Sequence, residues 1–580
     1  MIKKTLTLKS NYIPYLIIAI SVLIRLFLSI RSEFVLTTSE IEKYYFAKSI
    51  PLLISEQNPA LFEYAKNTGH FLFFVPLIYL LPFSQFFDPM VYILKVPSLI
   101  LGLFLSFLLY RALVKFLGEE KQKRIITALL ITISPWLTVI TFNFFSETLS
   151  LLFILAAFLI LKNSKDKILN PTKGFYVLTL LLLGAFSSWT GFWFVLALMS
   201  ILTFYLFRKS SRKKLRPKPK LILLTAYIVF GVIVIFNKTY ILNSLSKNTF
   251  IEKLRPSVLA TEINERQKVD FLSMNKNFLL PTIVRKMIYN KPTLAFNKVI
   301  THTAGIIDFE HWTFPFESYD QLRASGILPK GNLPLFYFFE IPFITLGFYI
   351  LIRSRKMPLL LPLFLAAFVP YLVFDKRDLV FSGVFFIQLV LAVEVIALNL
   401  IFNKFNELNY PKKMLVSILL GVFTIPSIIN FYNLFFFDKE RYTRSDQFLY
   451  RDIASWISEN KGRFQKIVVT DRFGPTHLAT AFYLNIPPEL FWESYLNPQE
   501  LKSGQTVVRV ENLEFRAINW REESRDANIA YVGFLGEFTD PSESVDAKET
   551  PKDVLILKEI PFSDELVWQY GRKILIVKAK

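Results

Sequence analysis

The sequence contains no cysteine. Disulfides, thiolate-ligated zinc and a cysteine nucleophile are all excluded by that absence. Histidine is nearly as scarce. The four in 580 residues, His70, His302, His311 and His477, are too scattered in sequence to point to a His-based metal site. No G-x-G-x-x-G and no P-loop is present, so the chain carries no nucleotide-binding signature. Tandem repeats and low-complexity tracts are missing as well. Acids are outnumbered by bases, 46 against 67, for a net charge of +21. In a soluble protein that balance would point to nucleic acid. Here the bases sit mostly in short segments between apolar runs, the pattern of cytoplasmic loops, and nucleic acid is not the expected partner.

Apolar residues are what the chain has in excess. They make up 53% of it, with 60 phenylalanines and a mean hydropathy of +0.40. Apolar runs of roughly 17–25 residues recur, the length that crosses a hydrocarbon core of ~30 Å. In lipid the backbone must satisfy its own hydrogen bonds, so these runs must be helices. They predict about eleven transmembrane helices, near residues 12–30, 91–114, 125–142, 146–161, 175–190, 191–207, 221–237, 335–352, 357–373, 379–402 and 414–435. The stretch 175–207 is too long for one span and divides at Ser187-Ser188-Trp189-Thr190-Gly191. The first run is long for a signal peptide, carries Arg25 and is followed by no small-x-small cleavage site. It reads as an uncleaved helix.

Residues 70–87 form another apolar run, but one read as interfacial. With that assignment the lysines and arginines fall on inward segments, RKSSRKKLRPKPK at 208–220 above all, and the short outer turns hold only Lys376 and Arg377. If 70–87 spanned, every later loop would flip and the positive-inside bias would invert. Pro76 and Pro82 also disfavour a straight spanning helix. The expectation is a multi-pass plasma-membrane protein with a cytoplasmic N-terminus and an extracytoplasmic C-terminus. A membrane domain covers 1–437, with outer loops at about 31–90 and 238–334. A small α/β domain covers 438–580. In that domain 446–460 has helical spacing, 475–484 is a second helix, and KIVVT (466–470), TVVRV (506–510), NIAYVGF (528–534), VLILKEI (554–560) and KILIVKA (573–579) read as strands.

Chemistry has few places to reside against this background. The first outer loop begins Thr37-Thr38-Ser39-Glu40-Ile41-Glu42-Lys43-Tyr44-Tyr45-Phe46-Ala47, and the turn between the third and fourth spans reads Asn143-Phe144-Phe145-Ser146-Glu147. Both fall at the outer face. Two carboxylates from distant sequence can meet there, one to accept a proton from a hydroxyl and one to orient it or hold a cation. The bland alternatives are a solvated loop acid for Glu40, a helix N-terminal acid for Glu147, and a packed loop for Asp308-Phe309-Glu310-His311-Trp312. Charges in spans are costly and need partners. Arg25 and Lys95 read as snorkelling residues near helix ends, and no ionisable group is expected near a span's middle.

The order of these features resembles the C-type glycosyltransferase superfamily, most closely the protein O-mannosyltransferases and the lipid A aminoarabinose transferases. Glu40, Tyr44 and Ala47 match the acid, tyrosine and alanine of the first-loop motif. His70 stands where a basic residue follows, Lys95-Val96-Pro97-Ser98 resembles an Arg-x-Pro-Ser helix start, and Ser134-Pro135 is followed by Glu147. Lys376-Arg377 occupy the place of a basic residue near the last spans. The likeness covers 12–210 well and 335–402 loosely. It departs in having Glu40 and Glu147 where Asp is usual, Ile41 for a second acid and Phe71-Leu72 for Pro-Pro. The resemblance implies an inverting transfer of sugar from a polyprenyl-phosphate lipid to a glycan, lipid or protein acceptor. Glu40, with Glu42 as its alternative, and Glu147 would be catalytic. His70, Lys95, Tyr44, Lys376 and Arg377 would contact phosphate or substrate. A divalent ion, Mg²⁺ or Mn²⁺, is the cofactor that two such carboxylates would admit. The other readings of the same sequence are a lipid or glycan transporter and a non-catalytic scaffold on the same fold.

Overall fold

The computed structural model describes residues 2–31, 38–54, 59–86, 96–117, 120–143, 145–163, 171–210, 227–235, 237–238, 240–241, 253–273, 290–304, 336–354, 357–373, 384–437, 446–472, 476–500, 506–538, 553–561 and 573–580. The chain is mostly helical and ends in a small sheet domain. Among the described residues, three helices are long and apolar enough to cross a membrane: Val96–Lys115, Val384–Glu407 and Tyr410–Asn433. A fourth is reached if the bent pair Lys123–Ile133 and Pro135–Thr141 is one span. The expected count of about eleven is therefore not met on length. Several expected spans are short apolar helices, because prolines and serines break them or their ends lie outside the described residues. Pro171–Ala185, for instance, has 15 residues, which reach only about 22 Å at ~1.5 Å per residue. The division of 175–207 is present: Pro171–Ala185 ends before Ser187-Ser188, and Trp189–Ser210 begins after them. There the Ser188 hydroxyl accepts the Gly191 N–H at 3.1 Å, the cap of the second helix.

The bend in the 121–143 region follows from Ser134-Pro135. Proline has no N–H to give and its ring blocks a continuing helix. The helices meet at 56°, leaving carbonyls that need donors. Arg25 supplies one, its Nη2 donating to the Thr132 carbonyl at 2.9 Å, and the Tyr337 hydroxyl donates to the Ile133 carbonyl at 3.1 Å. Arg25 is 2% exposed. The snorkelling expectation for it is corrected: it caps a broken helix inside the bundle.

Residues 74–86 form a helix of 13 residues, Phe74–Phe86, about 20 Å long and short of the ~30 Å core. It packs against the first-loop helix Thr38–Lys48. The helix Tyr410–Phe437 leaves Met414, Leu415, Ile418, Leu419, Val422, Ile425 and Ile429 more than half exposed. So long an exposed apolar stripe suits a helix that could cross a membrane.

The C-terminal domain is a seven-stranded sheet in the order β2-β3-β4-β1-β5-β7-β6. β1 (Lys466–Val469) lies at its centre, parallel to β4 (Leu513–Phe515) and β5 (Ile529–Phe534). Ile467, Val468 and Val469 are all fully buried, as a strand covered on both faces requires. β2 (Gln499–Glu500), β3 (Thr506–Val510), β6 (Val554–Pro561) and β7 (Lys573–Ala579) pair antiparallel. The five expected strands and the helices Asp446–Asn460 and Thr476–Tyr483 are present. β2, β4 and the helix Pro488–Leu496 were not anticipated, since two- and three-residue strands carry no periodicity to read.

Candidate active site

Glu40, Glu42, Lys43 and Tyr44 share the helix Thr38–Lys48. At ~100° per residue, positions 40, 43, 44 and 47 fall on one side, and position 42 lies about 160° around from 40. The two acids of the loop therefore serve different neighbours.

Glu42 faces a small aromatic chamber. Its Oε1 lies 3.5 Å from His70 Nε2 and accepts the Tyr64 hydroxyl at 3.2 Å. His70 stacks on Phe46 at a centroid distance of 4.1 Å. It is delivered by the turn after the helix Pro59–Asn67, where Gly69 adopts φ +81° beneath the Tyr240 ring. Burial pushes the Glu42 carboxyl upward, but the His70 contact, the Tyr64 hydrogen bond and the Lys43 charge outweigh it and hold the group below the ordinary carboxylate value. A depressed carboxyl stabilises the fold above its unfolded-state value, and that contribution is lost as pH falls through the folded one. The Tm difference between the wild type and Glu42→Gln is accordingly expected to be present at neutral pH and to close below about pH 5. Thermal unfolding across that range measures it, and a difference that widens in acid would contradict the assignment.

On the other side, Lys43 Nζ donates to Ser146 Oγ at 2.8 Å, across 103 residues of sequence. Ser146 and Glu147 open the helix Phe145–Asn163. The Lys43 ammonium is close enough to Glu147 and Glu42 to attract both. The two acid-bearing segments expected to meet do so, with Lys43 between them. Its place on the Glu40 face follows from the three-residue spacing on one helix.

Glu40 is 7% exposed and its charge acts on Tyr483 of the C-terminal domain. Tyr44 is buried and packs on Phe482 at 6.3 Å, a side chain built into the domain contact. Lys95, Lys376, Arg377 and the 308–312 stretch lie outside the described residues. Among the described residues no three His, Asp or Glu converge as a metal-ligand group, and the Lys43 ammonium attracts both Glu42 and Glu147.

One further group lies apart. Glu394, in the middle of the helix Val384–Glu407, is 0% exposed, and neither carboxylate oxygen has a hydrogen-bond partner among the described residues. Glu340 is also buried and takes the Tyr337 N–H at 2.7 Å. Ionisable groups do stand inside the bundle, contrary to the expectation from sequence. The signal was an acid at the centre of an apolar run.

No protein-family model matches this chain, and no curated protein matches it.

Proposed function

We propose that the chain is a polytopic membrane glycosyltransferase of the C-type kind. It would move a sugar from a polyprenyl-phosphate lipid to an acceptor at the outer membrane face. The observation that carries this reading is the Lys43–Ser146 hydrogen bond, which joins the Glu40-bearing loop helix to the Glu147-bearing helix. In this reading about eleven segments traverse the plasma membrane, the short apolar helices included, with the N-terminus cytoplasmic and the C-terminal domain outside.

Glu40 takes the proton of the acceptor hydroxyl as its oxygen bonds to the anomeric carbon. The carbon–oxygen bond to the lipid phosphate breaks, its electron pair leaving on the phosphate, and attack from the opposite face inverts the centre. Glu147 orients the acceptor. His70 and Lys43, with Lys95, Lys376 and Arg377 as further cations, meet the charge growing on the phosphate, where prepositioned donors are most effective. Lys43 takes the role a divalent ion would have, so chelation is expected to leave transfer unchanged. Purified protein is tested with labelled sugars on a panel of polyprenyl phosphates and a mixed acceptor pool, with and without EDTA. Transfer abolished by EDTA would remove Lys43 from that role. Transfer untouched by both Glu40→Gln and Glu147→Gln would remove the active site.

The transporter reading has one observation in its favour, the buried Glu394 carboxyl with no hydrogen-bond partner among the described residues, since transporters keep such groups near the midplane. Lipid or glycan movement across vesicles that Glu394→Gln stops, with no transfer from any donor, would select it. The scaffold reading would be left if neither activity appears.

A further inference from the structure

The C-terminal domain does not stand off from the membrane domain. It sits on the loop helix. The Tyr45 hydroxyl donates to the Ile486 carbonyl at 2.8 Å, and the Lys48 ammonium donates to Asn485 Oδ1 at 2.6 Å. Asn485 holds φ +54° in the turn between Thr476–Tyr483 and Pro488–Leu496, which presents both groups. Trp492 is at the centre of this contact and is 1% exposed. Its Nε1–H donates to Ser49 Oγ at 2.6 Å, and Ser49 Oγ in turn donates to the Tyr45 carbonyl at 2.8 Å, at the end of the loop helix.

The indole also backs the two residues that hold the Glu42–His70 contact. Its ring lies 4.9 Å from Tyr64, whose hydroxyl binds Glu42, and 6.0 Å from Phe46, on which His70 stacks. Trp492 itself reaches neither Glu42 nor His70. The indole meets Phe46 edge-on and Tyr64 at a tilt, and a rigid aromatic so packed fixes both rings at little entropic cost.

We propose that Trp492 is a positioning residue of the outer-loop site: the C-terminal domain uses it to hold Tyr64 and Phe46, and through them the Glu42–His70 pair. The domain is then a wall of the site. The activity arm of the test rests on the glycosyl-transfer reading, and the spectroscopic arm does not.

With four histidines in the chain, ¹⁵N-histidine labelling of the full-length protein gives a spectrum that His70→Gln and His477→Gln assign. The His70 resonance senses the pH at which Glu42 ionises beside it. His477, stacked on Tyr495 at 5.0 Å and lowered by burial to about 4, reports that the C-terminal domain is folded. Trp492→Ala frees Tyr64, so the Glu42 step seen at His70 is expected to move to higher pH while the His477 signal persists. Trp492→Phe keeps the ring and should restore most of the wild-type profile. Ser49→Ala removes the indole's acceptor, together with the Ser49 hydrogen bond to the Tyr45 carbonyl, and should shift the step slightly in the same direction, a variant that serves if Trp492→Ala fails to fold. In the transfer assay, Trp492→Ala should lower kcat about 10- to 100-fold with KM nearly unchanged, since misplacing a reacting group by ~1 Å costs about that much. A His70 profile identical to wild type in Trp492→Ala with His477 intact, or in Ser49→Ala where the former does not fold, would overturn the proposal. A shifted profile in a protein that transfers no sugar would keep the positioning role and reject the transfer reading.

Discussion

Glu40→Gln is expected to lower sugar transfer by about 100- to 10,000-fold, the range that removal of a general base usually costs. The substitution keeps the side chain's size and loses its ability to take a proton. Glu40 is buried at the loop-helix face that also carries Lys43, which ties that face to Ser146 beside Glu147. Glu42→Gln is the internal comparison. It lies on another face, committed to His70 and Tyr64, and should cost less in kcat than Glu40→Gln. Steady-state transfer rates for the two variants, at saturating donor, separate the roles. If Glu42→Gln proves the more damaging, the base is Glu42 or the imidazole it contacts, and Glu40 belongs to the contact with the C-terminal domain. Where the glycosyltransferases that the sequence resembles usually carry Asp, Glu40 is longer by one methylene. Glu40→Asp tests whether the site is built for the longer reach: it should also lose activity, since the carboxylate would fall short by about 1 Å.

The second large effect is expected at Gly69. Alanine there meets two obstacles. The φ of +81° is a conformation L residues rarely adopt, and a Cβ would run into the Tyr240 ring. Such backbone strain alone costs about 1–3 kcal/mol. The ring cannot retreat cheaply, because its hydroxyl accepts the Trp189 indole N–H at 3.1 Å and it stacks on that indole at 5.7 Å. Gly69→Ala should therefore lower the Tm and carry His70 away from Glu42, so transfer falls with stability. Tyr240→Ala in the Gly69→Ala background should recover part of the stability by removing the clash while leaving the φ strain. Thermal unfolding of the single and double variants measures both. A Gly69→Ala protein with unchanged Tm would mean that the turn relaxes freely and His70 is not held by it.

Much of the fold was legible from composition and period. The apolar runs located most of the helices, with Met357–Val373 at its expected bounds, because an apolar stretch in such a chain has no alternative to a helix. The strands of the C-terminal domain were legible where they ran four residues or more. The short ones were not, since β4 and β2 exist only through their neighbours' hydrogen bonds. Helix length was harder. Ser134-Pro135 and Ser187-Ser188 are visible in sequence, but the 56° bend depends on the donors that Arg25 and Tyr337 bring to the freed carbonyls.

The same division runs through the candidate site. The sequence by itself determined that two acid-bearing segments, Glu40–Glu42 and Glu147, stand beside apolar runs, because composition and period are local properties of the chain. Tertiary structure alone decided which acid faces what. Lys43 meets Ser146, Glu42 turns to His70 and Tyr64, and Trp492, 443 residues from its Ser49 partner, closes the back of the chamber. Side-chain contacts at such separations depend on how rigid elements pack, and no period or spacing along one segment encodes where another segment will lie against it.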